Sequence, residues 1–315
     1  MYIGNRGGIM NILDNLGISY KAGYLIQGNQ IERCNISNNL NVRNTELMMR
    51  TDGKDSNIEK ILKNYKGNIV FHVPAINPDL SNLDTVNNLV RDLKKHNIKL
   101  VTIDASNLSS DLFEWSTLEE QKKYFLNIVT AIATLASNKI EVAVQNLKQN
   151  DPESKFGSSM GQITDIIIYA RRLLDKDFGL TKEESEKYVG ISLNIDNIDF
   201  NNDNNSIINY FEVFGNYIKC IKIRKKDNLK EVIDFLKEKQ LDIPLFMQTK
   251  SDLDEIKNEY TDFENEVLSY LGEEKPVRNK EKKNTNNKGF SNILIATMII
   301  LTIVIVILMF IVKLR

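Results

Sequence analysis

The sequence predicts an α/β protein: a (β/α)8 barrel, then a basic linker and one transmembrane helix. Short β-branched runs alternate with longer helical patterns over residues 1–271, and such alternation is typical of a parallel sheet. About eight units at this length favour a closed barrel. The apolar run 293–312 has the length of a membrane-spanning helix.

The strands are predicted from short runs rich in β-branched residues. In chain order, after the first strand, the runs are 46–50 (the weakest), 68–73, 99–103, 140–145, 190–195, 218–223 and 243–248. The first strand is either 2–4 or 24–27, and the pattern does not decide between them.

Between these runs, apolar residues recur at the spacing of one helix face. The four clearest sets are Val86, Leu89, Val90 and Leu93; Phe125, Ile128, Val129 and Ile132; Leu229, Val232, Ile233 and Leu236; and Phe263, Val267, Leu268 and Leu271. An open doubly wound sheet is the alternative, but neither GxGxxG nor GxxxxGK[ST] occurs in the sequence.

Composition excludes several kinds of site. The chain has 315 residues, two histidines (His72 and His96) and two distant cysteines (Cys34 and Cys220). A disulfide scaffold, a multi-cysteine metal centre and a site with three imidazoles are therefore excluded. The formal net charge of −1 gives no reason to expect nucleic-acid binding, and no cofactor is predicted.

The C-terminal region is predicted to anchor the protein in a membrane. The run 293–312 has only Thr297 and Thr302 as polar side chains, which disfavours a buried core helix. The N-terminus shows no apolar core of a signal peptide. Cations are richer in the linker 272–292 than in the tail 313–315, so a single-pass, tail-anchored protein is expected, with domain 1–271 in the cytoplasm. The linker could also rest on anionic lipid headgroups.

Active sites of (β/α)8 barrels lie at the carboxyl ends of the strands. Polar side chains stand at these positions in the predicted barrel: His72, Asp104, Gln145, Asn194, Asn197, Lys222 and Gln248. The cations Arg224, Lys225 and Lys226 follow the seventh strand and are candidates for binding an anion such as a phosphate, unless they form a solvated loop.

Four runs resemble the xylose isomerase-like superfamily of TIM barrels, which includes sugar-phosphate isomerases and epimerases and endonuclease IV-like nucleases. They are VFHVPAINPDLSN (70–82), IEVAVQNLKQNDPESKFG (140–157), VGISLNIDNID (189–199) and IPLFMQTKSDLDEI (243–256). The resemblance spans most of 45–257 and depends on the order of the motifs. It implies a sugar-isomerase type of barrel with one to three divalent metals bound by carboxylates and imidazoles.

This sequence departs from the family pattern at nearly every metal position. Amides stand where the family has acids or an imidazole: Gln145, Asn194, Asn197 and Gln248. Lys222 stands at the position of a histidine, and Asp104 where many nucleases have another histidine. Only His72 fits directly, within His-x-Pro. Divalent cations require anionic oxygens, so a lost metal site is expected.

Three functions follow as hypotheses. The first is a catalytically inactive barrel that binds a partner protein or an anionic small ligand at the membrane. The second is a sugar or sugar-phosphate isomerase that needs no metal and uses His72, Asp104, Lys222 and Cys220 as acid–base groups. The third, an abasic-site endonuclease, is the weakest because of the histidine count, the charge and the anchor.

Overall fold

Eight parallel strands close into a barrel in chain order, with the last strand paired to the first. The computed structural model describes residues 12–20, 30–48, 58–73, 83–105, 117–148, 156–200, 206–224, 226–249 and 253–272. The strands are β1 (Leu16–Ser19), β2 (Asn44–Met48), β3 (Asn68–Val73), β4 (Leu100–Asp104), β5 (Glu141–Gln145), β6 (Val189–Asn194), β7 (Ile218–Ile223) and β8 (Leu245–Gln248). The predicted (β/α)8 barrel is confirmed, and the open sheet is excluded.

Helices surround the barrel and connect its strands. Within the described residues they are α1 (Gln30–Asn39), α2 (Ile58–Asn64), α3 (Leu83–Lys95), α4 (Leu118–Ser137), α5 (Met160–Phe178), α6 (Lys182–Tyr188), α7 (Ile207–Phe214), α8 (Leu229–Lys239) and α9 (Leu253–Leu271). The apolar faces predicted for α3, α8 and α9 are buried. All of these residues except Leu268 pack in a continuous core between the barrel and the helices.

The predicted position of the first strand was wrong. Strand β1 is Leu16–Ser19, whereas 2–4 and 24–27 lie outside the described residues. The strand has only four residues and includes Gly17, so its sequence pattern is weak. The other predicted strands differ from the observed ones by at most two residues at an end.

The lower interior of the barrel is filled by a small apolar group, separate from the outer core. It consists of Val70, Cys220 and Phe246, with the partly buried Leu100 against them. Glycine is required beside it, because a Cβ atom at Gly17 would lie 2.6 Å from both a ring atom of Phe246 and the Asn44 carbonyl oxygen. The upper interior, toward the carboxyl ends of the strands, is left to polar side chains.

The chain divides into Met1–Glu273 and Glu274–Arg315, and every element above belongs to the first unit. Within the described residues, no helix is both long and apolar enough to cross a membrane. The predicted span 293–312 and nearly all of the linker 272–292 lie outside those residues. The membrane anchor and the domain boundaries therefore stay predictions.

Candidate functional site

Strand register places most of the predicted site residues on the inner face of the barrel. Residues paired in register on parallel strands share a face. Asp104 is paired with Gln145, Asn194 with Lys222, and Gln248 with Ser19. The hydrogen bonds described below show that Ser19, Gln145 and Lys222 point inward, so their partners do as well.

Lys222 and Glu46 form an ion pair across the barrel, and both side chains are fully buried. The Lys222 ammonium also donates to the side-chain oxygen of Gln145 at 2.6 Å and to the Thr102 hydroxyl at 3.4 Å. These three oxygen acceptors match the three N–H donors of an ammonium group. The lysine is therefore held as a cation in the middle of the site.

Glu46 is held as a carboxylate by a matching set of donors. One oxygen accepts from Ser19 at 2.5 Å, and the other accepts from Thr102 at 2.5 Å as well as from Lys222. Burial alone would raise the pKa of Glu46, but the charges of Lys222 and His72 and the hydrogen bonds lower it to about 2. Glu46 thus stays a carboxylate at neutral pH.

His72 joins the network through both ring nitrogens and is completely buried. Its Nδ1 atom lies 2.9 Å from the Thr102 hydroxyl. Because Thr102 gives its own proton to Glu46, Nδ1 must be the donor, which fixes one ring proton. The Nε2 atom lies 3.3 Å from Asp104 Oδ2.

Asp104 is the part of this network that reaches solvent, with 13% of its side chain exposed. Its other oxygen accepts from the Gln145 amide nitrogen at 3.0 Å. Gln145 therefore connects the Lys222 ammonium, through its oxygen, to the Asp104 carboxylate, through its nitrogen. Six strands (β1 to β5 and β7) contribute to one continuous network that contains four of the predicted residues: His72, Asp104, Gln145 and Lys222.

Asn194 and Asn197 belong to a second network, which holds the connection after β6. The Asn146 side chain accepts from the Asn194 backbone amide at 2.7 Å and donates to the Asn194 carbonyl at 3.0 Å. Asn197 donates to the Asn146 carbonyl at 2.8 Å. The Asn194 side chain caps the turn at Ile195–Asn197 by accepting from the Asp196 amide. Both asparagines thus shape the backbone at the mouth of the barrel.

The cations after β7 do not form a cluster in the described part of the chain. Lys226 is paired with Glu266 of α9 at 3.0 Å, and Lys225 lies outside the described residues. Arg224 is exposed, and its backbone amide donates to Asp196 at 2.6 Å. Asp196 therefore fixes this connection.

Cys220 does not pair with His72. Its thiol donates to the Ser192 hydroxyl at 3.2 Å, and it packs against Val70 and Phe246 below the polar network. Burial raises its pKa to about 11, so the thiol is protonated at neutral pH, and its hydrogen-bond partner among the described residues is a hydroxyl rather than a base that could activate it.

The sequence interpretation missed Ser19, Glu46 and Thr102. Glu46 is the anion around which the network forms, and it lies in the strand that was predicted least clearly. The sequence did contain a signal for Glu46. An acidic residue within a predicted barrel strand is expected to be buried, and a buried carboxylate needs a cation as its partner. Ser19 could not be found because its strand was placed elsewhere.

Comparisons with known proteins support the fold. No family model matches the sequence, and no curated protein matches it either. Among solved structures, a D-tagatose 3-epimerase-like protein is similar, with a TM-score of 0.56 and 15% identity over 82% of this chain and 99% of that one.

Two other similar structures represent further activities on the same fold. One is an AP endonuclease of family 2 from Brucella melitensis, with a TM-score of 0.56 and 12% identity over 75% of this chain and 93% of that one. The other is a probable 3-DHS dehydratase from Bacillus anthracis, with a TM-score of 0.58 and 8% identity over 79% of this chain and 98% of that one. At such identities the likeness shows the fold alone.

Proposed function

We propose that this protein is a membrane-attached binding protein whose isomerase-like barrel has lost metal-dependent catalysis. The observation that carries the proposal is the contact of the Lys222 ammonium with both Glu46 and Gln145. Gln145 and Lys222 stand at two positions where the family resemblance implies metal ligands. A protonated lysine at this place supplies a positive charge that is part of the chain.

The donor set does not fit a divalent cation. An ion at the Gln145 oxygen would lie beside an ammonium group, and the neutral amides of Asn194 and Gln248 would add no negative charge against this repulsion. Among the described residues, no group of three or more His, Cys, Asp or Glu side chains is placed to hold a metal.

The polar groups of the network form their hydrogen bonds and ion pairs with one another. Glu46, His72, Gln145 and Lys222 are fully buried. Their charges and hydrogen bonds are matched within the barrel, which favours a structural role over proton transfer to a substrate. On this proposal the polar side chains inside the barrel stabilise the fold, and other surfaces of the protein bind partners.

Metal content and turnover test this proposal. The full chain, purified in mild detergent, is expected to contain no stoichiometric zinc, manganese or magnesium, and to convert neither ketohexoses nor DNA with an abasic site. The metal content of the variant Lys222→Met, which lacks the internal cation, is measured in parallel with that of the natural chain. Stoichiometric metal together with turnover in the natural chain would refute the proposal.

A metal-independent sugar isomerase or epimerase is the second candidate, favoured by the 3.3 Å contact between His72 Nε2 and Asp104. Asp104 is partly exposed, so its carboxylate could take the proton from the hydroxyl-bearing carbon next to the substrate carbonyl and deliver it to the carbonyl carbon. The hydroxyl proton moves to the former carbonyl oxygen, and His72 holds the carboxylate in place. In that case Asp104→Asn abolishes isomerisation in metal-free buffer, whereas the exposed-acid control Asp84→Asn does not. Unchanged turnover in Asp104→Asn would reject this candidate.

Membrane attachment is proposed for the segment 293–312, supported by its length and apolar composition. The full chain is expected to float with phospholipid vesicles in a density gradient. Val304→Lys combined with Ile307→Lys should release it, because charges near the bilayer centre are costly, whereas Ile303→Leu should not. The cytoplasmic placement of the barrel is proposed from the cation-rich linker. A barrel that stays with vesicles despite both lysines would overturn this anchor.

An anionic small ligand at the barrel mouth is a further part of the proposal, and Arg224 is the cation offered for it. Lys226 is less suitable because Glu266 already compensates its charge. Arg224→Gln should weaken binding of a sugar phosphate, with Arg91→Gln on α3 as the control. If Arg224→Gln and Arg91→Gln bind the sugar phosphate equally, Arg224 does not bind an anion, and a protein partner is then the proposed ligand of the barrel mouth.

A further inference from the structure

We infer that the groove between α7 and α8 binds a basic amphipathic helix of a partner protein. This inference goes beyond the function proposed above, since it does not depend on the interior of the barrel. It is carried by three features of the described groove: an apolar floor, an acidic rim and the absence of an open sheet edge nearby.

The floor of the groove is aromatic, and its two rings are largely buried, with Phe211 7% and Phe235 6% exposed. The rings of Phe211 on α7 and Phe235 on α8 stack in parallel, with centroids 3.8 Å apart and an angle of 4° between the planes. Ile208 extends the apolar surface at the edge and is 58% exposed. The groove encloses about 720 Å³. An exposed isoleucine beside a preformed aromatic floor is typical of a surface that buries an apolar residue on binding.

The rim of the groove is acidic. Its charged side chains are Glu212, Glu231, Asp234, Glu238 and Lys239. Lys239 is paired with Glu238 at 2.7 Å, and Asp234 with Lys230 at 2.5 Å. Glu212 and Glu231 form no ion pair in the described part of the chain, so they add net negative charge to the rim. Because the whole chain is nearly neutral, this negative charge is a local feature, and it is complementary to a cationic partner.

Geometry favours a helix as the occupant. The barrel is closed, so it has no free strand edge to which an extended peptide could add. A groove between two helices instead accepts a third helix, whose apolar residues recur at i, i+3, i+4 and i+7. One end of this groove stays open, since a Cβ atom at Gly215 would meet nothing within 4 Å. A helix with apolar residues on the floor and Lys or Arg on its flanks matches both surfaces.

A designed peptide of leucine and lysine tests the inference. The probe carries its leucines on one helix face, and the control probe has the same composition in scrambled order. Fluorescence anisotropy with the full chain should show binding of the helical probe only. Glu212→Gln with Glu231→Gln should weaken this binding about five-fold, as should Ile208→Ser, and added salt should weaken it further.

Matched variants separate the groove from general charge effects. Glu119→Gln with Glu183→Gln removes two exposed acids elsewhere, and Ile168→Ser removes another exposed isoleucine. Both should bind the probe like the natural chain. Equal binding of the scrambled peptide, or equal losses in the groove and control variants, would overturn the inference. So would self-association of the chain that Ile208→Ser abolishes, since the groove would then hold a second copy.

Discussion

Lys222 on β7 and Glu46 on β2 form a fully buried ion pair across the interior of the barrel. Strands β8 and β1 separate them around the sheet, so the pair connects parts of the barrel that are not hydrogen-bonded neighbours. Each partner is satisfied by further hydrogen bonds, the ammonium by Gln145 and Thr102 and the carboxylate by Ser19 and Thr102. Lys222 and Glu46 therefore form a matched pair of charges at the centre of the polar network.

Removal of the cation should destabilise the protein strongly. Lys222→Met leaves the Glu46 carboxylate buried without its partner, and we expect a loss of about 3–5 kcal/mol in the free energy of unfolding at neutral pH. The loss should shrink as the pH falls toward 4.5, because burial without the lysine raises the pKa of Glu46 and lets the carboxylate take up a proton. Urea denaturation of the full chain in mild detergent measures both effects.

Removal of both charges should restore much of this stability. In Glu46→Gln with Lys222→Met, no buried charge is left unpaired, and we expect recovery of at least half of the loss. The exposed pair of Lys95 and Glu59, at 2.8 Å, is the control, and Lys95→Met should change stability by less than about 1 kcal/mol. A double variant as unstable as Lys222→Met alone would mean that the lysine acts through packing rather than charge.

The lowered pKa of Glu46 predicts a specific dependence of stability on acid. Its folded value of about 2 lies below its ordinary value of 4.5, so its contribution is complete above about pH 4.5 and is lost as the pH falls through 2. In Glu46→Gln the free energy of unfolding should vary less with pH across this window than in the natural chain. Glu119→Gln, which changes an exposed acid, should keep the natural pH dependence. Parallel curves for the natural chain and Glu46→Gln would contradict the assignment.

Gly17 should tolerate no side chain. Because a Cβ atom there would overlap a Phe246 ring atom and the Asn44 carbonyl, each at 2.6 Å, Gly17→Ala should cost about 1–3 kcal/mol. Gly161 on α5 is the matched control, since a Cβ atom there meets nothing within 4 Å, and Gly161→Ala should stabilise the protein by up to about 1 kcal/mol. Thermal unfolding of the two variants makes the comparison, and equal melting temperatures would contradict the packing described for the lower interior.

The sequence predicted the barrel because its strands and helices repeat regularly, but the first strand escaped prediction for a physical reason. Four residues with a glycine carry little periodic signal, and Gly17 is fixed by the distant Phe246 rather than by its neighbours in the chain. Strand β3, by contrast, is a continuous run of six residues, five of them buried, and its bounds were predicted without error.

The site was predicted in part. The ends of the strands can be predicted from the sequence, and this prediction identified His72, Asp104, Gln145 and Lys222. The role of Lys222 was not readable, because its partner Glu46 lies on the opposite side of the barrel and the pairing depends on closure of the sheet. Anion binding by the cations after β7 stays a prediction; the contact between Lys226 and Glu266 of the last helix of the barrel joins residues 40 positions apart and could not be read from the sequence.

The central claim is that Lys222 supplies the positive charge in the barrel interior, and its most direct test is a titration of the full chain with Mn²⁺, followed by thermal unfolding. We predict a melting temperature that does not change with Mn²⁺ or with EDTA. The Lys222 ammonium already contacts the Glu46 carboxylate and the Gln145 amide oxygen, which a metal ion would need as ligands. Lys222→His combined with Gln145→Glu should gain stability on addition of Mn²⁺, as expected for a ligand bound only by the folded state. A melting temperature of the natural chain that rises with Mn²⁺ and falls again on chelation would contradict the claim.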